Sequence, residues 1–357
     1  MKYYICEGST SEGKYNATSK ARQDAETILD SLFFKPLKVE TINRVKNNIF
    51  LKLLQYFGYL QNYYIWKKSI KKLNYGDVLV IQYPIIYTTL PFTRILKKLK
   101  KRGIKTIAII HDLDSIRMAN SKSLRSKRLT YEDKNLLKQF AKVISHNEKM
   151  TNILVEYGVE RSNAINLGIF DYLCSSEIDV QKRKKYKPII IAGNLSSEKA
   201  KYLKDINNIS KVHFDLYGKG LDIKLAKNIT NRGCFLPAKL PKVLDGSFGL
   251  VWDGSSINKL EGSYGDYMKY NNPHKASLYL ASELPVIVST ESALSKFVKK
   301  NGVGITVKSL KELESILESI KEEDYLLMLN NVKKVSKKIK EGFFLTKSVE
   351  EALKNLE

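Results

Sequence analysis

Residues 264–289 read YGDYMKYNNPHKASLYLASELPVIVS, and three parts separate within them. A polar loop ends in Asn271-Asn272-Pro273. A helix is expected over His274–Ser282; the turn Glu283-Leu284-Pro285 then leads into an apolar strand, Val286–Val288. Asn272 carries the side-chain oxygen an N-cap needs, and Pro273 suits the first helical position, where no N–H is required. Such a helix start presents free N–H groups and the positive end of a dipole. With Lys275 one turn in, it suits an anion such as a diphosphate. Asn-Pro also caps helices that bind nothing, but the Tyr-, Asn-, His- and Lys-rich loop ahead of it favours a ligand. Working outward, Phe248–Trp252 (FGLVW) is an apolar run ending in Asp253-Gly254. Strand, long polar loop, capped helix, strand is the order in which open α/β sheets hold ligands at the carboxyl ends of strands.

The same alternation runs through the chain. Lys2–Cys6 predicts a first strand, followed by a Gly/Ser/Asn loop over Gly8–Ala17 and a helix over Thr18–Phe34 with Thr18 or Ser19 as its cap. The loop lacks the G-x-G-x-x-G spacing, so no dinucleotide cofactor is expected. Residues 46–70 predict one long aromatic helix. Strands are expected at Asp77–Gln82, Lys105–Ile110, Lys142–Ser145 and Asn163–Leu167, with helices at Thr88–Arg102, Glu132–Phe140 and Glu148–Tyr157 between them. A polar, basic stretch over 172–187 then breaks the pattern as a linker. A second series follows: strands at Pro188–Ala192, Val212–Tyr217 and Phe248–Trp252, a short element at Ile229–Phe235, and further elements to a last helix at Phe343–Leu356. Strands alternating with helices argue for parallel sheets covered on both faces.

At 357 residues the chain suffices for two ordinary domains. Cys6, Cys174 and Cys234 form no metal-ligand spacing and cannot all pair, which suggests a reducing compartment. No secretory signal opens the sequence, and no apolar run approaches the roughly 18 residues needed to span a bilayer. Lys and Arg number 61 against 37 Asp and Glu, a net charge of +24, clustered at 97–105, 122–128, 182–187 and 333–340. That balance draws the protein to polyanions: nucleic acid, anionic lipid or a phosphorylated substrate. Solvated helix faces account for many of these lysines equally well.

The polar strand ends are where chemistry is expected. In the first half, Ile110 is followed by His111-Asp112-Leu113-Asp114. An imidazole and carboxylates at a buried strand's end are placed to take a proton or orient a hydroxyl, although either Asp could simply cap the next helix. In the second half, Gly193-Asn194, Tyr217-Gly218-Lys219-Gly220, Asp253-Gly254 and the helix start at Asn272–Lys275 lie at strand ends. Glycine there lets a ligand approach the backbone, and Lys219 and Lys275 can neutralise a diphosphate. No HxH, HExxH or CxxC motif is present, and D-x-D spacing such as Asp112–Asp114 arises often by chance. No metal and no cofactor are expected.

The order GLVWDG, long loop, NNPHKASLYLASELPVIVS, NGVGITV resembles the carboxyl-terminal half of GT-B glycosyltransferases. More narrowly, it is similar to bacterial galactofuranosyltransferases and to the glucosyltransferase 3-like enzymes of serine-rich adhesin glycosylation. DVLVIQYP, IIHDLDSIR and the closing EGFFLTKSVEEAL agree with it. The resemblance implies a GT-B α/β fold: two facing Rossmann-like domains with parallel sheets and a cleft between them. The expected divisions are an acceptor-side domain over 1–171, the linker over 172–187, a nucleotide-sugar domain over 188–340, and a helix over 341–357 that crosses back. It implies that Asn194, Tyr217, Gly218, Asn272, His274, Lys275 and Ser277 line a UDP site, beside the Lys219 read above from its strand end, with Thr18 approaching from the first domain. The acceptor would lie near His111, Asp112 and Asp114, with Asp112 or Asp114 as the base and His111 as the alternative. The E-x7-E pattern of retaining relatives is missing, which points to inversion.

The expected activity is therefore transfer of a hexose, galactofuranose or glucose, from a UDP-sugar to a glycan acceptor in cell-surface polysaccharide or glycoprotein synthesis. The expected acceptor is a growing glycan on a lipid carrier, or a glycosylated adhesin. The expected setting is cytoplasmic, peripheral at the inner face of an anionic membrane, and homo-oligomerisation stays open. A nucleotide-sugar epimerase of the same architecture is the rival enzyme. A basic nucleic-acid-binding protein is the rival from another class, disfavoured because no nucleic-acid motif is found.

Overall fold

Runs such as VLVI, TIAII and IIIA have no polar face to offer water, so they form strands only where helices cover both sides. The structure, a computed structural model, describes residues 1–7, 17–40, 50–85, 92–121, 123–175 and 183–356, with only the main chain at 17–19, 50–57 and 59. Among these residues the first sheet comprises β1 (Lys2–Glu7), β2 (Lys35–Val39), β3 (Val78–Tyr83), β4 (Lys105–Ile110), β5 (Lys142–Ser145) and β6 (Ala164–Asn166). The second comprises β7 (Ile189–Asn194), β8 (Phe214–Lys219), β9 (Ile229–Gly233), β10 (Gly249–Val251), β11 (Val286–Ser289) and β12 (Gly304–Val307). Strand orders are β2-β1-β3-β4-β5-β6 and β12-β11-β10-β7-β8-β9, and the pairings are parallel.

Each order reverses once, between β1 and β3 and between β7 and β10. Crevices open at such reversals beyond the strands' carboxyl ends. The second crevice is bounded by Asn194 after β7 and by Trp252-Asp253 after β10. Gly249 is required in β10 because a Cβ there would sit 2.1 Å from the Tyr279 ring. That ring is fully buried, and its hydroxyl accepts the Ala192 N–H at 2.6 Å, fixing the helix His274–Ala281 against β7 and β10.

The last helix, Phe343–Lys354, leaves the second sheet and packs on the first. Its Leu345, Val349 and Ala352 join Tyr4, Ile28, Leu29, Ile107, Ile144 and Ile165 in one core. Full burial of a Leu or Val contributes roughly 1.5–3 kcal/mol each. Asp171, at the end of the first half, accepts from the Phe344 and Leu345 N–H groups at 3.2 and 2.7 Å and so holds the start of that helix.

The structure corrects several expectations. β2 was not foreseen, since KPLKV has one proline and two lysines and only Leu37 and Val39 are buried. The helix expected at Glu132–Phe140 runs instead over Leu124–Leu137, starting at Ser123, whose hydroxyl accepts the Ser126 N–H. The long polar loop before Asn272 contains a helix, Gly262–Tyr267. Arg183, within the basic linker stretch, is buried and donates to the Leu244 and Ser282 carbonyls at 2.8 and 2.7 Å; it is a structural tie of the second half. The Gly8–Ala17 loop up to residue 16, the ends of two expected helices at 46–49 and 88–91, Lys122 and linker residues 176–182 lie outside the described residues.

Candidate active site

A cavity of about 530 Å³ lies between the two sheets. His111, Asp112 and Arg117 line it from the first half. Gly193, Asn194, Lys199, Tyr217, Gly218, Lys219 and Asp253 line it from the second, together with the segment Asn271–Lys275. Its floor depends on glycine: a Cβ on Gly218 would lie 1.9 Å from the Gly193 carbonyl oxygen, and Gly193 has φ +129°. The ends of β7 and β8 thus approach too closely for a side chain at Gly218, whereas the space beside the Gly193 Cα is open.

Lys275 lies one residue into the helix His274–Ala281. Its ammonium donates to the Trp252 carbonyl at 3.0 Å and to the buried Asp253 carboxylate at 2.7 Å. Lys199 approaches the other Asp253 oxygen at 3.8 Å. Two cations thus share one carboxylate, an excess of positive charge facing the cavity. Burial lowers the Lys275 pKa from its usual range, while Asp253 acts against that shift. Lys219 is exposed at the rim. Tyr264, a further lining residue, has Lys199 and Arg117 each within 6 Å of its ring centroid, at 5.7 and 5.6 Å.

Asp112 faces this charged wall from the end of β4. The Tyr267 hydroxyl accepts the Leu113 N–H at 2.8 Å and hydrogen-bonds the Asp112 carboxylate. Burial raises the Asp112 pKa above the ordinary carboxylate value, offset in part by Arg117 and Tyr267. A carboxylate with raised basicity and a fixed orientation is suited to accept a proton. Asp114 is placed differently: it opens the short helix Asp114–Arg117, pairs with Arg117, and is not among the lining residues. His111 lines the cavity with its Nε2 donating to Gln82 Oε1 at 2.7 Å and its ring stacked on Phe170. Burial, with the Arg22 charge adding to it, drives its pKa well below the usual histidine value, so it is a weak base at neutral pH.

Asn272 is not the N-cap; Pro273 holds that position with no side-chain cap bond. The Asn272 amide is spent on the other domain. Its Nδ2 donates to the His146 and Gly168 carbonyls at 2.9 and 2.7 Å, and its Oδ1 accepts from Asn147 at 2.9 Å. Its backbone N–H donates to His146 Nδ1 at 3.0 Å. Asn272 therefore clasps the two halves, which is where a buried amide finds its partners. Ser277 is fully buried away from the cavity, its Oγ without a partner among the described residues. Thr18 lies inside the helix Ala17–Ser31 rather than ahead of it, and its side chain is outside the description. Among the described residues no group of three His, Cys, Asp or Glu side chains gathers as a metal site.

Lys199, Arg117, Tyr264, Tyr267, Phe170 and Tyr172 line the cavity although none was singled out beforehand. The i,i+3 spacing of Tyr264 and Tyr267 in GSYGDY is the only signal that could have found two of them.

The clasp has a pH signature. His146 is buried, donates from Nε2 to the Ile110 carbonyl at 3.1 Å, and must keep Nδ1 bare for Asn272. Burial lowers its pKa to about 4, below an unfolded value of about 6.5. Neutral His146 therefore contributes stability that is present above pH 6.5 and is lost as pH falls toward 4. His146→Asn keeps an acceptor but cannot titrate. Between pH 7 and pH 5 the stability advantage of the wild type over this variant should shrink by about 2 kcal/mol in urea denaturation. An unchanged difference refutes the assignment.

Comparisons with known proteins give the family and the fold. Residues 2–169 match the glucosyltransferase 3-like N-terminal domain and residues 189–352 the glucosyltransferase 3-like C-terminal domain. The chain belongs to the glucosyltransferase 3-like family. Among the relatives of this family member, beta-1,6-galactofuranosyltransferase WbbI of Escherichia coli (strain K12) is 35% identical over 284 residues, 78% of this chain and 80% of that one. Glucosyltransferase 3 of Streptococcus parasanguinis is 25% identical over 79% of this chain and 81% of its own. The fold is shared with the lipopolysaccharide outer core galactosyltransferase WaaB in its apo form, with a TM-score of 0.62, 11% identity and 99% of each chain covered. It is also shared with LpCGTa in complex with UDP, with a TM-score of 0.51, 10% identity, and 99% of this chain and 91% of that one covered. The protein is a glycosyltransferase of GT-B fold, and the epimerase and nucleic-acid readings give way to that.

Proposed function

We propose that the protein transfers a hexose, galactofuranose or glucose, from a UDP-sugar to a hydroxyl of a glycan acceptor, with inversion. One observation carries this reading: Asp112, whose basicity burial raises, lines the same cavity as the Lys275–Asp253–Lys199 wall. The nucleotide lies over Gly193 and Gly218, with its diphosphate against Lys275, Lys199 and the start of the helix His274–Ala281. Asp112 takes the acceptor proton as the acceptor oxygen forms its bond to the anomeric carbon. The bond to the diphosphate breaks, and its electron pair leaves with UDP. The cations meet the negative charge that grows on the leaving group, and this reading includes no metal. The galactofuranosyl and glucosyl alternatives follow the named relatives. Incubation with UDP-galactofuranose, UDP-glucose and UDP-galactopyranose tests it by UDP release and by NMR of the product anomer. Release from none of them, or retention at the anomeric carbon, overturns it.

We further propose that the first domain rests on an anionic membrane that carries the acceptor. The helix Phe92–Lys101 exposes Arg94, Lys97, Lys98, Lys100 and Lys101 and no acid. The helix Leu124–Leu137 exposes Arg125, Lys127, Arg128 and Lys134 against a single exposed acid, Glu132. Leu124 and Tyr131 stand 86% and 70% exposed among these charges. No helix of the described residues is long and apolar enough to cross a membrane; in this proposal the two basic helix faces make the attachment. Each basic residue near such a surface contributes roughly 1 kcal/mol. Changing Lys97, Lys98, Lys100 and Lys101 to Gln should therefore weaken binding to phosphatidylglycerol vesicles by about a thousandfold. Unchanged vesicle binding, or binding of short RNA in preference to vesicles, ends the membrane reading.

A further inference from the structure

Tyr267 belongs to the second half by chain and to the first half by packing. It ends the helix Gly262–Tyr267, which lies between β10 and the helix His274–Ala281 in sequence. Its ring is buried and joins the core of the first half with Leu113 and Ile116. Neighbouring bonds hold the same seam: Asn120 Nδ2 donates to Asp266 Oδ2, and Asn147 Nδ2 to the Tyr270 carbonyl, each at 2.8 Å. Gly265, in the same helix, rests on the turn that carries Asp253. A Cβ on Gly254 would lie 2.9 Å from the Gly265 Cα, so the two backbones meet there. One short helix thus reaches from the counter-ion of Lys275 and Lys199 to the end of β4.

The Tyr267 hydroxyl has both of its bonds assigned. Its oxygen accepts the Leu113 N–H at 2.8 Å, and its proton goes to the Asp112 carboxylate. An ionised carboxylate has no proton to give, so the direction of that bond is fixed. Burial, with the Asp112 charge adding to it, holds the phenol pKa well above its usual value, and the hydroxyl keeps its proton. A ring locked by packing, with its oxygen anchored on backbone, is a rigid mount for the group it holds. The carboxylate has two oxygens and about four lone-pair sites, so one bond from Tyr267 leaves room for an acceptor hydroxyl. We propose that Tyr267 is a positioning residue for the base: the donor half reaches across the seam and holds Asp112 in place for proton removal on the acceptor half. This rests on the reading of Asp112 as the base and extends it to the residue that orients it.

The charges around Asp112 are Arg117 and Asp114 from the helix Asp114–Arg117, Lys199 from the donor half and Arg22 from the helix Ala17–Ser31. All of them stay in Tyr267→Phe, which removes a single hydroxyl. A bond donated to the charged carboxylate favours that form. Its loss must therefore raise the pH at which the base becomes available.

The test follows UDP release against pH, using the UDP-sugar that the wild type turns over and octyl hexosides as acceptors. In Tyr267→Phe, kcat should fall by about 10–100-fold, the effect of losing a hydrogen bond to a charged group. The KM for the UDP-sugar should stay within about twofold, and the acid limb of the kcat profile should move to higher pH. With 3-fluorotyrosine at position 267 the phenol is more acidic and a stronger donor, so the limb should move to lower pH. This second variant keeps the hydroxyl and decides the matter should Tyr267→Phe fold poorly. Asn120→Ala, which loosens the same helix without touching Asp112, should move neither the rate nor the limb. An acid limb unmoved in both Tyr267 variants overturns the proposal, even if kcat falls, because Tyr267 then serves the fold alone. An equal shift in Asn120→Ala overturns it as well. Transfer with an intact acid limb in Asp112→Asn shows instead that the reading of the base has failed, and this inference falls with it.

Discussion

Asp112→Asn should slow sugar transfer by about 10²–10⁴-fold, the range expected for losing a general base, and should leave UDP affinity within about twofold of the wild type. The substitution is close to isosteric. An asparagine Oδ1 can still accept from the Tyr267 hydroxyl, so the Leu113–Tyr267 contact between the two halves should survive. What disappears is the charge that receives the acceptor proton. The control is Asp114→Asn, which breaks a half-exposed ion pair with Arg117 and lies outside the cavity. It should retain at least a third of wild-type activity, since partly exposed pairs contribute less than about 1 kcal/mol. Single-turnover rates separate the two cases. Near-normal transfer in Asp112→Asn would move the base elsewhere, and His111 is the next group to test.

Lys275→Ala should do two kinds of damage that can be measured apart. The first is to stability. Asp253 is 5% exposed, and Lys275 supplies its one close cation; Lys199 is 3.8 Å away. Stranding a buried carboxylate in this way costs about 3–5 kcal/mol. The second is to catalysis: loss of a cation facing the leaving diphosphate should slow transfer by about 10²–10³-fold. Adding Asp253→Asn removes the stranded charge. The double variant should therefore recover most of the stability in urea denaturation while transfer stays slow. Recovery of both would make Lys275 a partner of Asp253 with no role toward the donor. Recovery of neither would mean that the Trp252 carbonyl contact is the one that matters.

Much of this architecture can be read from local pattern. The apolar runs at Val78–Tyr83, Lys105–Ile110, Ile189–Asn194 and Val286–Ser289 became strands because their residues are uniform enough to need cover on both faces. The helix expected over His274–Ser282 runs over His274–Ala281, since its start and its end at the Glu283-Leu284-Pro285 turn are marked by neighbours in the chain. β2 escaped because an edge strand needs only two buried side chains, and Leu37 and Val39 supply them among lysines and a proline.

The site was legible by location more than by role. Asn194, Gly218, Lys219, His274, Lys275, His111 and Asp112 are expected as site residues because strand ends and helix starts are visible in a sequence, and all of them line the cavity. Asn272 has the composition of an N-cap, yet its amide binds carbonyls of His146 and Gly168, more than a hundred residues earlier in the chain. Asp112 and Asp114 are indistinguishable as letters. Tyr267 reaches one of them, from a helix hidden in a polar loop, and Arg117 takes the other. The sequence by itself determined the strands, the helix starts and the places where backbone groups stand open to a ligand, because these depend on steric and hydrogen-bonding demands within a few residues. Tertiary structure alone decided which polar side chain is spent on the fold and which is left free for chemistry. A buried polar group takes whatever partner packing brings to it, and here that partner comes from the other domain.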